Sequence, residues 1–160
     1  MSPKKIRVKQ VRSGAHYGEK QKATLRGLGL AERVRFSGKV SAAELARAYR
    51  EAAIVVLPSL FEGFGLPAIE ALAAGTPVVA TRAGALPEVI ADAGAGQLVP
   101  PRDPPALAKA IAETLERWDG AHAEALAARP RLESVFGWRP TAERTVRVYE
   151  RVLRQWRGAV

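Results

Sequence analysis

Residues 58–70, which read PSLFEGFGLPAIE, are the stretch that decides the fold. They follow residues 54–57 (IVVL), a continuous apolar run typical of a strand that is covered on both faces. The glycines predict a loop, Pro67 predicts the first turn of a helix, and Gly75 predicts its end. A strand that leads through such a loop into a helix N-terminus is typical of anion sites, because backbone N–H groups and the positive end of the helix dipole converge there.

Two carboxylates, Glu62 and Glu70, flank this loop eight positions apart. Because both would repel a bare phosphate, the pattern favours a ligand that carries hydroxyl groups as well as phosphate, as a nucleotide sugar does. Gly63 and Gly65 have no Cβ, so a ligand can approach the main chain closely and accept hydrogen bonds from N–H groups. Glu62 is expected at the mouth of the loop, where it can accept hydrogen bonds from sugar hydroxyls. The alternative is a tight turn that merely needs glycines.

Glu70 lies about one turn into the predicted helix, between alanine, isoleucine and leucine residues. A carboxylate in apolar surroundings is costly unless something donates hydrogen bonds to it, and a ribose diol offers two donors. The alternative is that Glu70 simply faces solvent. Glu88, at the start of the next helix, is expected mainly to complement the helix dipole.

The rest of the chain alternates short strands with helices. This alternation predicts βαβ units and an α/β fold, namely a Rossmann-like, doubly wound and mostly parallel sheet of about five strands. In such sheets ligands bind beyond the carboxyl ends of the strands, which is where residues 58–66 are predicted to lie. The other predicted strands are residues 6–11, 33–37, 77–80 and 97–99, and the other helices are residues 19–28, 41–52 (begun by a Ser41/Glu44 capping box), 86–91, 104–117 (capped by Asp103) and 141–155.

Length and composition exclude several classes of protein. A chain of 160 residues suffices for one domain, which buries about 70% of its unfolded surface, but not for two α/β domains. The chain has no cysteine, which rules out disulfides and thiol-ligated zinc. His16 and His122 are isolated and predicted to be surface residues, so no metal site is expected. No apolar run reaches the roughly 18 residues that span a bilayer, and the first residues lack the apolar core of a signal peptide, so a cytoplasmic protein is expected.

The net charge of +9 has two interpretations. It could attract an anionic partner, or it could only reflect a composition rich in arginine and alanine. Much of the basic charge lies in residues 4–12 and 139–157, with no interleaved aromatic residues that would stack on bases. Nucleic-acid binding is therefore disfavoured, whereas peripheral contact with an anionic membrane remains an alternative.

Taken together, these motifs resemble the donor site of retaining glycosyltransferases of the family 4 type. The EGFGLP core at residues 62–67, the spacing of Glu62 and Glu70, and Pro58-Ser59 carry the resemblance, which covers about residues 20 to 155. It implies a GT-B fold, of which this chain is the C-terminal, donor-binding domain. Further matching segments are residues 34–38, 71–80, 84–89, 96–100 and 136–138.

The resemblance also implies roles for single residues. Glu70 would bind the ribose hydroxyls of a nucleotide diphosphate sugar, and Glu62 would act as the catalytic residue that binds and orients the donor sugar. The main chain of Val40 would contact the nucleobase. Transfer would retain the anomeric configuration without a metal ion or other cofactor, because cationic side chains neutralise the leaving diphosphate. The backbone groups expected to face sugar and diphosphate are those of Gly63, Phe64, Gly65 and Leu66.

The chain departs from the family pattern before the loop. No Gly-Arg followed by a nearby lysine, the pair that clamps the diphosphate in the family, occurs upstream of Glu62. Residues 1–160 are thus expected to form a single donor-binding domain, without the acceptor domain or the first strand–helix unit. Since loss of the clamp would weaken transition-state stabilisation, the chain alone is expected to be weak or inactive unless completed by an acceptor domain or by self-association. The alternative is a non-catalytic nucleotide-sugar binding or scaffold module.

Overall fold

The computed structural model describes residues 8–10, 27, 29 and 33–157. The chain divides into two compact units, Met1–Ala48 and Tyr49–Val160, and each is described by itself. His16 and nearly all of the helix predicted at residues 19–28 lie outside the described residues.

The first unit contains two parallel strands. Strand β1 (Val8–Gln10) pairs with β2 (Val34–Phe36). Helix α1 (Ala42–Glu51) begins in this unit and ends in the second. The predicted capping box is confirmed: Ser41 Oγ accepts the N–H of Glu44 at 3.3 Å, and Glu44 Oε2 accepts the N–H of Ser41 at 2.9 Å. The sequence therefore fixes the start of this helix locally.

The second unit is built on a three-stranded parallel sheet. Its strands are β3 (Val55–Leu57), β4 (Val78–Thr81) and β5 (Gln97–Val99), and β4 is central. Every residue of β4 is buried, as expected for a strand covered on both faces. The predicted α/β fold with parallel strands is confirmed.

The prediction of about five strands in a single sheet is wrong. Hydrogen bonds join the five described strands as a separate pair and a sheet of three. A hydrophobic run shows where a strand lies, but the neighbour to which it bonds depends on tertiary packing, which the run does not encode.

Five further helices belong to the second unit, and the sequence predicted four of them. The missed helix has 19 residues and contains Pro130, a residue type that is disfavoured inside helices. Its signal is a stripe of small buried side chains, Ala121, Ala125 and Ala128, that continues to Leu132 at helical spacing. The five are α2 (Leu66–Ala73), α3 (Leu86–Ala93), α4 (Pro104–Glu116), α5 (Trp118–Phe136) and α6 (Trp138–Arg157).

The core of this unit surrounds β4. Helices α2, α3 and α4 all contact this strand, and α5 packs outside the sheet against α2 and α3. Val79 of β4, Val99 of β5 and Ala110 of α4 form a buried apolar cluster. This packing fixes the strand ends from which the loops of the candidate site emerge. Among the residues described, none of the helices is both long enough and apolar enough to cross a membrane.

Candidate functional site

The predicted loop lies beyond the carboxyl end of β3, and it contacts the loop that follows β4. The carbonyl of Glu62 accepts the N–H of Ala85 at 3.0 Å. Thr81, the last residue of β4, donates its hydroxyl to the carbonyl of Ser59 at 2.5 Å. The two loops are thus joined at the edge of the sheet where parallel α/β proteins bind ligands.

Gly84 makes this close approach possible. A Cβ at this position would lie 1.9 Å from the carbonyl oxygen of Glu62, and the residue has a φ of +53°. Any side chain here would both clash with the Glu62 loop and strain the backbone.

Glu62 is half-buried, and its carboxylate turns back on its own loop. Oε1 accepts the N–H of Gly65 at 3.3 Å, and Gly65 precedes the first residue of α2 with a φ of +87°. The N–H of Gly65, which the sequence offered as a ligand donor, is therefore already engaged by Glu62. Within the described part of the chain, Oε2 of Glu62 accepts no hydrogen bond and remains open to a ligand.

Three other backbone donors of the loop remain available. The N–H groups of Gly63, Phe64 and Leu66 donate to no acceptor among the described residues, and all three residues are exposed. They precede or begin α2, whose dipole is positive at this end. Three of the four backbone N–H groups that the sequence predicted to face a ligand are thus without an acceptor in the described part of the chain.

Phe64 also anchors the loop. Its ring meets that of Phe136, the last residue of α5, edge to face at a centroid distance of 6.1 Å. Such a pair contributes about 0.5–1.5 kcal/mol beyond its buried area. The loop is therefore attached to both α3 and α5.

Glu70 lies on the exposed side of α2. Its neighbours Ala68, Ala71 and Leu72 are fully buried because they point to the opposite, sheet-facing side of the helix. The expectation that Glu70 has apolar surroundings is therefore wrong, and the alternative of a solvent-facing position is what the structure shows. One oxygen, Oε2, accepts the hydroxyl of Tyr49 at 3.1 Å, and Oε1 accepts nothing within the described residues.

Tyr49 is a site residue that the sequence analysis missed. It is 8% exposed, and the pKa of its hydroxyl is raised by burial first and then by the negative charge and hydrogen bond of Glu70. The hydroxyl thus stays protonated and donates. A signal was present in the sequence, because a tyrosine on a face with Leu45 and Ala52 brings a hydroxyl into the interior, where it needs a partner.

The sequence is similar to that of known proteins. A sequence model of the family described as glycosyl transferases group 1 matches residues 4–117. The chain belongs to this family. The D-inositol 3-phosphate glycosyltransferase 2 of Catenulispora acidiphila is 45% identical over 135 residues, which are 83% of this chain and 31% of the relative. Relatives of this kind are named as glycosyltransferases, so the resemblance drawn from the sequence is confirmed.

Solved structures show the same fold. Sucrose-phosphate synthase from Thermosynechococcus elongatus superimposes with a TM-score of 0.77 at 34% identity, over 86% of this chain and 34% of that chain. Anabaena Alr3699/HepE, solved in complex with UDP, does so with a TM-score of 0.73 at 25% identity, over 82% and 36%. The neighbours are GT-B glycosyltransferases, and this chain spans about a third of the length of the relatives that it matches.

Two further residues of this group 1 glycosyltransferase chain, Val40 and Glu88, lie outside the loop in sequence. Val40 follows β2 and is half-buried. It belongs to the first unit, whereas the loop belongs to the second. Glu88 is exposed in the first turn of α3, a position that complements the helix dipole.

His122 is not the surface residue that the sequence predicted. Its Nδ1 lies 2.6 Å from the carbonyl oxygen of Gly75, and its ring stacks on Trp118 at a centroid distance of 4.8 Å. The histidine is half-buried because it bonds the turn that follows α2. Its role is to hold α5 against the helix that carries Glu70.

Proposed function

We propose that the chain binds the nucleotide diphosphate sugar of a retaining glycosyltransferase and forms the donor half of its active site. One observation carries the proposal: among the described residues, the Glu62 and Glu70 carboxylates each keep one oxygen that accepts no hydrogen bond, and three exposed N–H groups without an acceptor precede or begin the helix that carries Glu70. This combination matches a ligand with both hydroxyls and phosphates. UDP bound to a structural relative supports the same ligand class.

The two ends of a nucleotide sugar fit different parts of this site. Oε1 of Glu70 would accept the ribose hydroxyls. Gly63, Phe64 and Leu66 would donate their N–H groups to the diphosphate, at the positive end of the α2 dipole. The Glu70 carboxylate would be kept apart from the diphosphate, because Glu70 lies one turn into α2, whereas the three donors precede or begin that helix.

Glu62 is proposed as the catalytic residue that orients the donor sugar. Its Oε1 is held by the N–H of Gly65, which leaves Oε2 to accept a sugar hydroxyl. A carboxylate with a fixed orientation loses less entropy on binding than one that must first be ordered. We propose that transfer retains the anomeric configuration and uses no metal ion.

Calorimetric titration of the chain with UDP, GDP and ADP, and with their sugar derivatives, tests donor binding. We expect one nucleotide to bind, and Glu70→Ala to weaken its binding about 10- to 100-fold, because hydrogen bonds to a charged group contribute about 1.5–3 kcal/mol each. Glu88→Ala is the matched control, since it removes an exposed carboxylate from the next helix, and it should leave affinity unchanged. Absence of binding by every nucleotide would contradict the proposal.

We further propose that an acceptor domain completes the enzyme and docks on α6. This helix is amphipathic, and its apolar side is exposed; Trp138 alone is 90% exposed. The relatives are about three times as long as the matched region, which leaves room for such a domain. The apolar side carries Trp138, Val146, Tyr149, Val152, Leu153 and Trp156, and the opposite side carries Arg144, Arg147, Arg151 and Arg154.

A chimera tests this second half of the proposal. In it, the chain replaces the residues that it matches in the Catenulispora relative. We expect the chimera to transfer sugar, whereas the chain alone only binds the donor. Tyr149→Ser with Leu153→Ser should lower transfer by loosening the docking surface, and Glu62→Gln should lower transfer while nucleotide binding persists. A folded, nucleotide-binding chimera without activity would instead favour a non-catalytic binding module.

Two other partners could cover the apolar side of α6, and experiments distinguish them from an acceptor domain. A second copy of the chain would make the sedimentation coefficient rise with concentration. An anionic membrane would make the chain sediment with phosphatidylglycerol vesicles, and binding that persists at about 0.5 M salt would require insertion of apolar side chains rather than screened charge alone. We expect both self-association and membrane binding to be weaker than binding to the acceptor domain. We also propose a cytoplasmic location.

A further inference from the structure

We propose that Tyr49 is a positioning residue for nucleotide binding, because its hydroxyl holds one oxygen of Glu70 and thereby presents the other oxygen to the ribose. This inference rests on the proposed function. It adds a residue that lies outside the loop and that would not itself touch the ligand.

Tyr49 is fixed at both of its ends. Its carbonyl accepts the hydroxyl of Thr76 at 2.5 Å, and Thr76 is 2% exposed just beyond α2. Its own hydroxyl reaches Glu70 Oε2, 3.1 Å away, on α2 itself. One bond connects the last turn of α1 to α2, which carries Glu70, and the other connects it to the turn that follows α2, so the donor that contacts Glu70 has little freedom to move.

Glu70 benefits from such a fixed donor because it is exposed. Ordering a free glutamate side chain costs rotamer entropy, which a ligand would otherwise have to offset. A bond formed before the ligand arrives reduces that cost. Since Tyr49 donates to Oε2, and Oε1 accepts nothing from the residues that the structure describes, Oε1 keeps its capacity to accept hydroxyl groups.

The protonation state of Tyr49 suits this role. Burial raises the pKa of the hydroxyl above its ordinary value, and the adjacent Glu70 raises it further. The hydroxyl therefore remains a hydrogen-bond donor across the neutral pH range.

The test compares Tyr49→Phe with wild type by calorimetry. The ligands are whichever of UDP, GDP and ADP the wild type binds, and the 2′,3′-dideoxy counterpart of that nucleotide. We expect Tyr49→Phe to weaken ribonucleotide binding about 3- to 10-fold, as for loss of one hydrogen bond, and to leave dideoxynucleotide binding unchanged. Ser134→Ala removes an exposed hydroxyl from α5, outside the proposed site, and should alter neither affinity.

A double-mutant cycle separates positioning from packing. In a Glu70→Gln background, adding Tyr49→Phe should cost less affinity than it does in the wild type, because the carboxylate that it positions is gone. Equal losses for the ribo- and dideoxynucleotides, or no loss at all, would overturn the role of Tyr49. A wild type that binds no nucleotide would instead contradict the proposed function, and this inference with it.

Discussion

The carbonyl of Glu62 lies directly against Gly84, at a point where a Cβ would be 1.9 Å from the carbonyl oxygen. The N–H of Ala85, the next residue, bonds the same oxygen at 3.0 Å. The loop that carries the proposed catalytic residue is thus held in place by a glycine of the following loop. The position of Glu62 depends on a residue that has no functional group.

Gly84→Ala should therefore displace the Glu62 loop. We expect it to lower the free energy of unfolding by about 1–3 kcal/mol, because the φ of +53° strains an alanine, and to weaken nucleotide binding as well. Urea denaturation and calorimetry provide the two readouts. Gly63→Ala is the control for stability, since its Cβ would meet nothing within 4 Å. Equal free energies of unfolding for the two variants would show that the Glu62 loop can move away from a side chain at position 84 without loss of stability.

Asp103 is expected to set the start of α4. Its Oδ1 accepts the N–H of Ala106 at 2.9 Å, the bond of an N-cap residue. Asp103→Ala should lower the free energy of unfolding by about 0.5–2 kcal/mol, and Asp103→Asn should retain most of it because asparagine also caps helices. Thermal denaturation of the two variants measures the difference. A loss of similar size in both would point to the charge rather than to the cap.

His122 should support α2 from outside the sheet. His122→Ala removes both the bond to Gly75 and the stacking on Trp118, and we expect a loss of about 1–3 kcal/mol in the free energy of unfolding. His122→Phe restores only the stacking and should recover part of the loss. If His122→Phe is no more stable than His122→Ala, the stacking contributes nothing measurable.

Tyr49 should make the fold sensitive to alkaline pH. Its folded-state pKa lies above the ordinary value of 10.0, so its contribution to stability is complete below that pH and is lost as the pH rises through the folded-state value. Denaturation midpoints measured from about pH 9 to 12 should fall more steeply for the wild type than for Tyr49→Phe. Because burial is the largest cause of the raised pKa, Glu70→Gln should reduce this pH dependence without abolishing it. Identical slopes for wild type and Tyr49→Phe would contradict it.

Features that depend on neighbouring residues could be predicted from the sequence. The Ser41/Glu44 box, the Asp103 cap and the loop before Pro67 follow from hydrogen bonds and backbone preferences within a few positions. The Glu62 and Glu70 pair was also visible, because its spacing matches a family pattern.

Features that depend on residues far apart in sequence could not be predicted in this way. Tyr49 and Glu70 are 21 positions apart, and His122 and Gly75 are 47 apart, so no local pattern reports either contact. The exposure of Glu70 depends on which side of α2 faces the sheet, and tertiary packing decides this. The separation of the strands into a pair and a sheet of three has the same origin.

A crystal structure of the chain with its bound nucleotide tests the central claim most directly. We predict that a ribose hydroxyl lies within hydrogen-bond distance of Oε1 of Glu70, and that the diphosphate faces the N–H groups of Gly63, Phe64 and Leu66. A nucleotide bound away from Glu70, or a diphosphate that leaves these three donors open to solvent, would contradict the account.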